Sequence, residues 1–342
     1  MSFLSATASS SSLVLITIAL AGTGCSSSDD TNTTGVATTT TTAASSGTTG
    51  TGGAGGAGGQ GTGGQGGNGG DGGLGGSGGS GGASNERPYE VFVPSVYDGA
   101  TPTPLVILLH GYTASGSLQE AYWQIQPHAE ARGFLYVHPD GTEDTQGNQF
   151  WNATDACCNF TGSDVDDSAY LRSIIDQVKA QYNVDPKRVF VMGHSNGGFM
   201  SYRMACDHAD AIAAIASLAG ATFNDPTLCQ PSEPVSVLQI HGTADATILY
   251  DGGANGPIVY PGAVATVEAW ATYNDCALTT EPGTSLDLDS GLAGDETTVT
   301  RYGCALEGKA ELWTIDGGSH IPALSDSFAP SILDFLFAHP KP

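Results

Sequence analysis

The sequence predicts an α/β fold with a mostly parallel central sheet, preceded by a disordered Gly-rich tether. The composition is split, because residues 26–86 contain 24 of the 49 glycines and almost nothing apolar. Such a segment cannot offset the entropy cost of ordering its backbone. The 256 residues from Arg87 to Pro342 have ordinary globular composition and are enough for one full core. In that part, apolar β-branched runs alternate with helix-like segments, which is typical of βαβ units.

The first residues predict a targeting signal. Residues 13–22 are apolar but too few to cross a bilayer, so they suit the core of a signal peptide over residues 1–24. Gly22 to Cys25, followed by three serines, resembles a bacterial lipoprotein signal, in which Cys25 becomes the lipid-bearing first residue. An ordinary secretory signal is the alternative, and both predict an extracellular or cell-surface protein. Residues 25–86 would then be a lipid-attached flexible linker, and we expect no other membrane contact.

Seven strands and four helices are predicted in the folded part. The strands are Glu90–Val96, Leu105–Leu109, Phe134–His138, Arg188–Met192, Ala213–Leu218, Val235–Ile240 and Ala310–Ile315. The helices are Asp166–Tyr182, Asn196–His208, Val264–Tyr273 and Phe328–His339. The first helix has apolar residues near helical spacing and acidic residues at its start, as the helix dipole favours. The continuously apolar Leu105–Leu109 indicates a strand that is covered on both faces.

The cysteines predict a disulfide-bonded domain. Besides Cys25 there are six: Cys157, Cys158, Cys206, Cys229, Cys276 and Cys304. An even number in an exported chain favours disulfides, with 15 possible pairings. Cys276 and Cys304 bracket the segment before the last strand, and we predict that they bond to each other. The vicinal pair would then bond to Cys206 and Cys229 in an order that the sequence leaves open. The vicinal spacing is not that of a zinc site, and we expect no metal.

The charge balance excludes one class of partner. The formal net charge is −25, and the part from Arg87 onward has 31 acidic and 10 basic residues. That sign disfavours binding to phosphate backbones, so we expect no nucleic acid partner. The acidic segment Asp287–Glu296 is predicted to be a solvated loop, because its spacing does not match a calcium-binding EF-hand.

The strongest chemical signal is the pattern Gly193-His194-Ser195-Asn196-Gly197 between a predicted strand and a predicted helix. This G-x-S-x-G context is that of a nucleophile elbow, a sharp turn that lifts the serine hydroxyl clear of the sheet. The two glycines leave room where a side chain would collide. The N–H groups and dipole at the start of the helix favour developing negative charge.

A serine nucleophile needs a base and an orienting acid. His320 follows the last predicted strand and is the predicted base. Asp245 follows the strand Val235–Ile240 and is the predicted acid, with Asp251 and Asp316 as alternatives. This order of nucleophile, acid and base along the chain is that of α/β-hydrolases.

An ester carbonyl also needs two N–H donors for its oxyanion. We predict the N–H of Asn196, which follows the nucleophile, and the N–H of Tyr112 in the Gly-containing loop after Leu105–Leu109. Trp151, in a loop beside the vicinal cysteines, is predicted to line the substrate cleft, with packing as the alternative. His194 is a second candidate for substrate binding.

Four motifs together resemble a known family. The segment from Val184 to Gly198, the segment Trp151–Cys158, Val165 with the two aspartates after it, and His241–Asp245 are similar to those of secreted polyhydroxybutyrate depolymerase-like proteins and feruloyl esterases. The resemblance covers nearly all of residues 87–342. It implies an α/β-hydrolase fold, a carboxylic ester substrate, and a triad of Ser195, Asp245 and His320.

The resulting hypothesis is an exported serine carboxylic ester hydrolase that acts through an acyl-enzyme and needs no cofactor. Its expected substrates are polyhydroxyalkanoate-type, feruloyl or acetyl esters. The alternative is a surface binding protein that keeps a hydrolase fold without activity. Labelling by a fluorophosphonate separates the two, because only an activated serine reacts.

Overall fold

A computed structural model describes residues 87–305 and 308–342. The predicted signal peptide, Cys25 and the Gly-rich linker lie outside the described residues.

Twelve strands are found in the described part of the chain. They are β1 (Thr103–Leu109), β2 (Leu135–Val137), β3 (Thr142–Glu143), β4 (Gln149–Phe150), β5 (Val184–His194), β6 (Ala214–Leu218), β7 (Ser236–Gly242), β8 (Gly252–Asn255), β9 (Ile258–Pro261), β10 (Cys276–Pro282), β11 (Thr297–Cys304) and β12 (Ala310–Ile315). Eight of them form one sheet in the order β10-β11-β12-β7-β6-β5-β1-β2. The six strands from β12 to β2 are parallel, and β10 and β11 add an antiparallel edge. The other four strands form two short hairpins.

Six α-helices connect these strands. They are α1 (Gly116–Trp123), α2 (Gln126–Arg132), α3 (Asp167–Gln181), α4 (Asn196–Asp207), α5 (Ala263–Tyr273) and α6 (Phe328–Ala338). The side chain of Asp166 caps α3 by accepting from the N–H of Ala169, which satisfies one of the free donors at the start of the helix. Among the described residues, no helix combines the length and apolar character needed to cross a bilayer.

The core has two layers, one on each face of the sheet. Strand β1 contributes Leu105, Ile107 and Leu109 to one layer and Val106 and Leu108 to the other, as the alternation of a strand requires. Helices α3, α4 and α5 cover the first face, and α1, α2 and α6 cover the second. The predicted α/β fold with a mostly parallel sheet is therefore confirmed.

The predicted strand Glu90–Val96 is wrong. In this segment only Phe92 forms a bridge, an isolated antiparallel one with Tyr136 of β2. Pro94 has no N–H to donate to a ladder, and the chain turns there, since the N–H of Tyr97 bonds to the Pro94 carbonyl. The segment therefore covers the sheet edge without extending it.

The disulfides differ in part from the prediction. The structure joins Cys276 to Cys304 across β10 and β11. The expected bonds from Cys157 and Cys158 to the other two cysteines are wrong, because Cys157 bonds to Cys158 and Cys206 to Cys229.

Helix α4 explains that difference. Cys157 lies against Asn196 at the start of α4, with 3.6 Å between the Asn196 Nδ2 and the Cys157 Sγ. Cys206 is ten residues further along the same helix, which is about 15 Å at the α-helical rise. Cys229 follows a single 3-10 turn at Pro226–Leu228, and its Cα lies 5.1 Å from that of Cys206.

Candidate active site

Ser195 is the single residue between β5 and α4. Its backbone has φ of 54° and ψ of −119°, a conformation that side chains rarely adopt. Its N–H donates to the Leu218 carbonyl at the end of β6, which holds the strained turn in place. This is the geometry of a nucleophile elbow.

Two glycines allow the elbow to pack. A Cβ on Gly197 would lie 2.2 Å from the Leu109 carbonyl oxygen, and one on Gly193 would lie 2.4 Å from the backbone of Gly197. The start of α4 is therefore pressed directly against the end of β1. No residue with a side chain fits at either position without moving the backbone.

The loops that carry Asp245 and His320 are interlocked. Asp245 follows β7 and His320 follows β12, the next strand of the sheet. Backbone hydrogen bonds run from Thr243 to Ile315 and from Ala244 to Gly318. These bonds bring the two side chains to the same end of the sheet as Ser195.

The structure brings Ser195, His320 and Asp245 into one hydrogen-bonded chain. The His320 Nδ1 lies 2.7 Å from the Asp245 Oδ2, and the His320 Nε2 lies 3.0 Å from the Ser195 Oγ. A carboxylate can only accept, so Nδ1 carries the ring proton and Nε2 is free to accept the serine proton. The rival acids Asp251 and Asp316 are exposed and do not contact His320.

The Asp245 carboxylate is buried and heavily hydrogen-bonded. Its Oδ1 accepts from the N–H groups of Thr247 and Ile248, and its Oδ2 accepts from His320 and, at 3.3 Å, from His241. Burial raises the pKa of Asp245, but the hydrogen bonds from the two histidines outweigh it and hold that pKa well below its usual value. The group is therefore an anion at every pH of interest.

His194 supports His320. Its Nε2 donates to the His320 backbone carbonyl at 2.8 Å, and the two rings lie with centroids 5.1 Å apart. Burial, followed by the charge of His320, lowers the pKa of His194 to about 3, so His194 is neutral. It is 6% exposed, and its other ring neighbour is Tyr122. The expectation that His194 binds substrate is therefore replaced by a role in positioning His320.

The two predicted oxyanion donors lie beside the serine. A Cβ on Gly111, which precedes Tyr112, would be 3.5 Å from the Ser195 Cβ, so this loop borders the nucleophile. Asn196 begins α4. No hydrogen bond from the N–H of Tyr112 or Asn196 is found within the described part of the chain.

The side chain of Asn196 joins the elbow to the loop after β4. Its Oδ1 accepts from the Trp151 N–H at 2.7 Å, and its Nδ2 donates to the Trp151 carbonyl at 2.9 Å. The same Nδ2 contacts the Cys157 sulfur. Asn196 and Trp151 are both fully buried. This clamp therefore joins the first residue of α4 to the loop that carries Trp151.

The prediction that Trp151 lines the cleft is wrong. Its indole is 0% exposed, donates from Nε1 to the His110 carbonyl, and packs against the His110 ring. Tyr112, the residue after Gly111, is more exposed, and its ring meets that of Phe160 edge to face at 5.3 Å. Phe160 is 62% exposed.

The segment after His320 begins with an exposed aliphatic side chain. Ile321 is 46% exposed, and the Pro322 carbonyl accepts a 2.7 Å hydrogen bond from the Tyr122 hydroxyl. Asp289 also accepts from the N–H of Ala323.

Of two further residues near Asp245, Gln239 was missed in the sequence, and His241 was named there only as part of the His241–Asp245 motif. Gln239 and His241 lie on β7 behind Asp245, fully or almost fully buried. A glutamine within an otherwise apolar buried strand is the signal that marks such a position. The described residues contain no group of three or more His, Cys, Asp or Glu side chains placed to hold a metal ion.

The sheet order, the elbow and the loop positions are those of the α/β-hydrolase fold. The phospholipase/carboxylesterase family model matches residues 94–256, a span that includes Ser195 and Asp245. Feruloyl esterase B of Piromyces equi is 31% identical over 238 residues, which cover 66% of this chain and 41% of that protein. The chain thus spans less than half the length of this relative. Feruloyl esterase D of Neurospora crassa is 26% identical over 262 residues, covering 71% of this chain and 79% of that protein.

A solved structure has the same fold. The acetyl xylan esterase from Aspergillus awamori superposes with a TM-score of 0.52 at 17% identity, over 73% of this chain and 93% of that one. The chain has the α/β-hydrolase fold, and it is similar in sequence to feruloyl esterases.

Proposed function

We propose that this protein is a serine carboxylic ester hydrolase that acts through an acyl-enzyme. The observation that carries the proposal is the hydrogen-bonded chain from Ser195 through His320 to Asp245, with the serine on a strained elbow. The similarity to esterases supports the same reaction class.

The reaction follows from this geometry. The Ser195 Oγ attacks the ester carbonyl carbon while its proton moves to the His320 Nε2, and Asp245 stabilises the imidazolium. The N–H groups of Tyr112 and Asn196 bind the oxyanion. Collapse of the tetrahedral intermediate breaks the C–O bond, and His320 protonates the departing alkoxide. A water molecule then attacks the acyl-enzyme with His320 as base, which releases the acid and restores the Ser195 hydroxyl.

We propose neutral esters with an aromatic or short acyl group as substrates. The edge-to-face pair of Tyr112 and Phe160 offers an aromatic surface, and the exposed Ile321, the residue after His320, offers an aliphatic one. Feruloyl and acetyl esters of neutral carbohydrates suit these surfaces, as do hydroxyalkanoate oligomers. The names of the similar proteins favour the first two.

The test compares the purified protein with its Ser195→Ala variant on methyl ferulate, acetylated xylo-oligosaccharides, hydroxybutyrate oligomers and p-nitrophenyl butyrate. We expect ester turnover, and fluorophosphonate labelling of the parent only. Ser285→Ala is the matched control, because Ser285 is an exposed serine that follows the edge strand β10. A folded parent that neither labels nor cleaves any ester would contradict the proposal and favour a binding protein without activity.

We also propose export with a lipid anchor on Cys25. Three disulfides in the described residues are typical of an oxidising compartment. Incorporation of labelled palmitate by cells that express the full chain, and its loss in Cys25→Ser, is the expected result. Export of the parent without label would indicate an ordinary secretory signal instead.

A further inference from the structure

A row of buried polar side chains lies behind Asp245. Tyr202 of α4 and Gln239 of β7 are 0% exposed, and His241 of β7 is 1% exposed. Buried polar groups are costly unless they are hydrogen-bonded, so the partners of each atom can be assigned one by one.

The orientation of Gln239 is fixed by its surroundings. The Gly220 carbonyl can only accept, so the atom 2.8 Å from it is the Gln239 amide nitrogen, Nε2. The Gln239 Oε1 then accepts from the Tyr202 hydroxyl at 2.9 Å. The second proton of Nε2 points to the His241 Nδ1, 3.1 Å away.

That arrangement determines the protonation of His241. The Nδ1 faces a donor and must accept, so it carries no proton. The Nε2 lies 2.8 Å from the Ile248 carbonyl, an acceptor, and 3.3 Å from the Asp245 Oδ2, so it must donate. Only the neutral form with its proton on Nε2 satisfies every partner. Protonation of Nδ1 would set two N–H groups against each other.

We propose that Gln239 holds His241 neutral with its proton on Nε2, so that His241 orients the Asp245 carboxylate without neutralising its charge. A cationic His241 would share the charge of Asp245, and the His320 imidazolium formed in the reaction would be less stabilised. Gln239 and His241 are therefore positioning residues. Their effect on turnover rests on the proposed function, whereas the protonation state of His241 does not.

Other titratable groups face this cluster. Asp245 and His320 approach from the two interlocked loops, His194 approaches from β5, and the Tyr250 ring meets His241 edge to face at 5.7 Å. In this set, Asp245 is the group that would favour a cationic His241. The hydrogen bond from Gln239 is what opposes that protonation.

The first test is a ¹⁵N NMR titration of the full chain labelled in histidine, between about pH 5 and 9, the range in which ordinary histidines titrate. We expect the His241 Nδ1 to resonate as an unprotonated ring nitrogen throughout, with Nε2 protonated. A proton on Nδ1 anywhere in this pH range would overturn the proposal. This result does not depend on any activity.

The second test is Gln239→Glu, whose carboxylate can accept from a protonated Nδ1. We expect His241 to become cationic, the acid limb of kcat/KM to move about one pH unit lower because a neighbouring cation disfavours the protonated form of the catalytic base, and kcat to drop several-fold. The double variant Gln239→Glu with His241→Gln has no imidazole at position 241 to protonate. Its acid limb of kcat/KM should return to the pH found for the parent. A folded Gln239→Glu variant with cationic His241 and an unmoved limb would refute the positioning role. If that variant does not fold, the NMR measurement on the parent still decides.

Discussion

Asp245 shows how a single residue can hold a site together. One carboxylate oxygen accepts from two backbone N–H groups, and the other accepts from two imidazoles. An asparagine at this position would point its NH₂ group at one of these pairs of donors, where no acceptor is present. The loss would therefore concern both the charge and the geometry around His320.

We expect Asp245→Asn to lower kcat by about 10³- to 10⁴-fold on p-nitrophenyl butyrate, because the imidazole loses its orientation and the imidazolium its counter-charge. The matched control is Asp251→Asn, since Asp251 is exposed on the same segment of chain. Full activity in Asp245→Asn, with loss in Asp251→Asn, would show that the acid has been misassigned.

His194 makes stability depend on pH. Its pKa is about 3 in the folded protein, because burial and the nearby charge of His320 disfavour the cation, against about 6.5 in an unfolded chain. Between these values the unfolded state binds the extra proton, so the stability that is present above pH 6.5 is lost as pH falls. At pH 5 the loss from this group is about 2 kcal/mol.

We therefore expect urea unfolding of the parent to show a steeper fall in stability from pH 7 to pH 5 than that of His194→Gln. The glutamine keeps a donor for the His320 carbonyl but does not titrate. Equal falls in the two proteins would mean that His194 is not held neutral.

The motif residues of the site were predictable from the sequence, whereas their supports were not. Ser195, Asp245 and His320 each follow a recognisable strand. Trp151 was misjudged because its place in an irregular loop suggested access to the cleft, whereas its contacts with His110 and Asn196, 41 and 45 residues distant in sequence, hold it in the interior. Gln239 depends on Tyr202 and Gly220, partners from two other parts of the chain, which no local pattern shows.

Among the elements of the fold, the elbow depends on contact between β1 and the start of α4. We expect Gly197→Ala to cost at least about 2 kcal/mol and to abolish fluorophosphonate labelling, because its Cβ would overlap the Leu109 carbonyl. Gly303→Ala in β11 is the control, since its Cβ would meet its neighbours at 3.5 Å or more. A Gly197→Ala variant with the stability and labelling of the parent would contradict this packing.

The two longer disulfides close loops of similar length, 23 and 28 residues apart in sequence. Loop entropy alone therefore predicts nearly equal contributions, about 3 kcal/mol each. Cys206 and Cys229 are buried, whereas Cys276 and Cys304 are partly exposed. The two disulfides therefore differ in burial, and not in the length of the loop that each closes.

We expect the double substitution Cys206→Ala and Cys229→Ala to destabilise the protein more than the same change at Cys276 and Cys304, since it also leaves a gap in the core. Urea unfolding of both double variants measures this order. Mapping of unreduced peptides checks the bonds themselves, and a peptide that links Cys157 to Cys206 would contradict the pairing.

The central strands were predictable because both their faces are buried and their runs are apolar. The edge strand β10 was not predictable, since it is exposed along nearly its whole length and its sequence does not alternate between apolar and polar residues. Segment Asp287–Glu296 was expected to be solvated, but Leu288 and Asp289 are buried, and the Glu296 Oε1 accepts from both of their N–H groups. The acidic composition of the segment gives no indication that one of its carboxylates binds the segment's own backbone.

At the scale of the whole molecule, the dominant property is charge. The chain has a formal net charge of −25, and the part from Arg87 onward contains 31 acidic and 10 basic residues. An anionic substrate approaches such a surface against a repulsive potential, whereas a neutral one does not. Salt screens that potential over a Debye length of about 10 Å at 0.1 M.

We therefore expect kcat/KM for an anionic ester, p-nitrophenyl hemisuccinate, to rise with added sodium chloride, while that for p-nitrophenyl butyrate stays nearly constant. The two esters share a leaving group, so the ratio of their kcat/KM values isolates the charge of the acyl part. The repulsion acts on the encounter, so the increase should appear in kcat/KM and not in kcat. A ratio that does not change between low and high salt would show that the acidic surface lies too far from Ser195 to select the substrate.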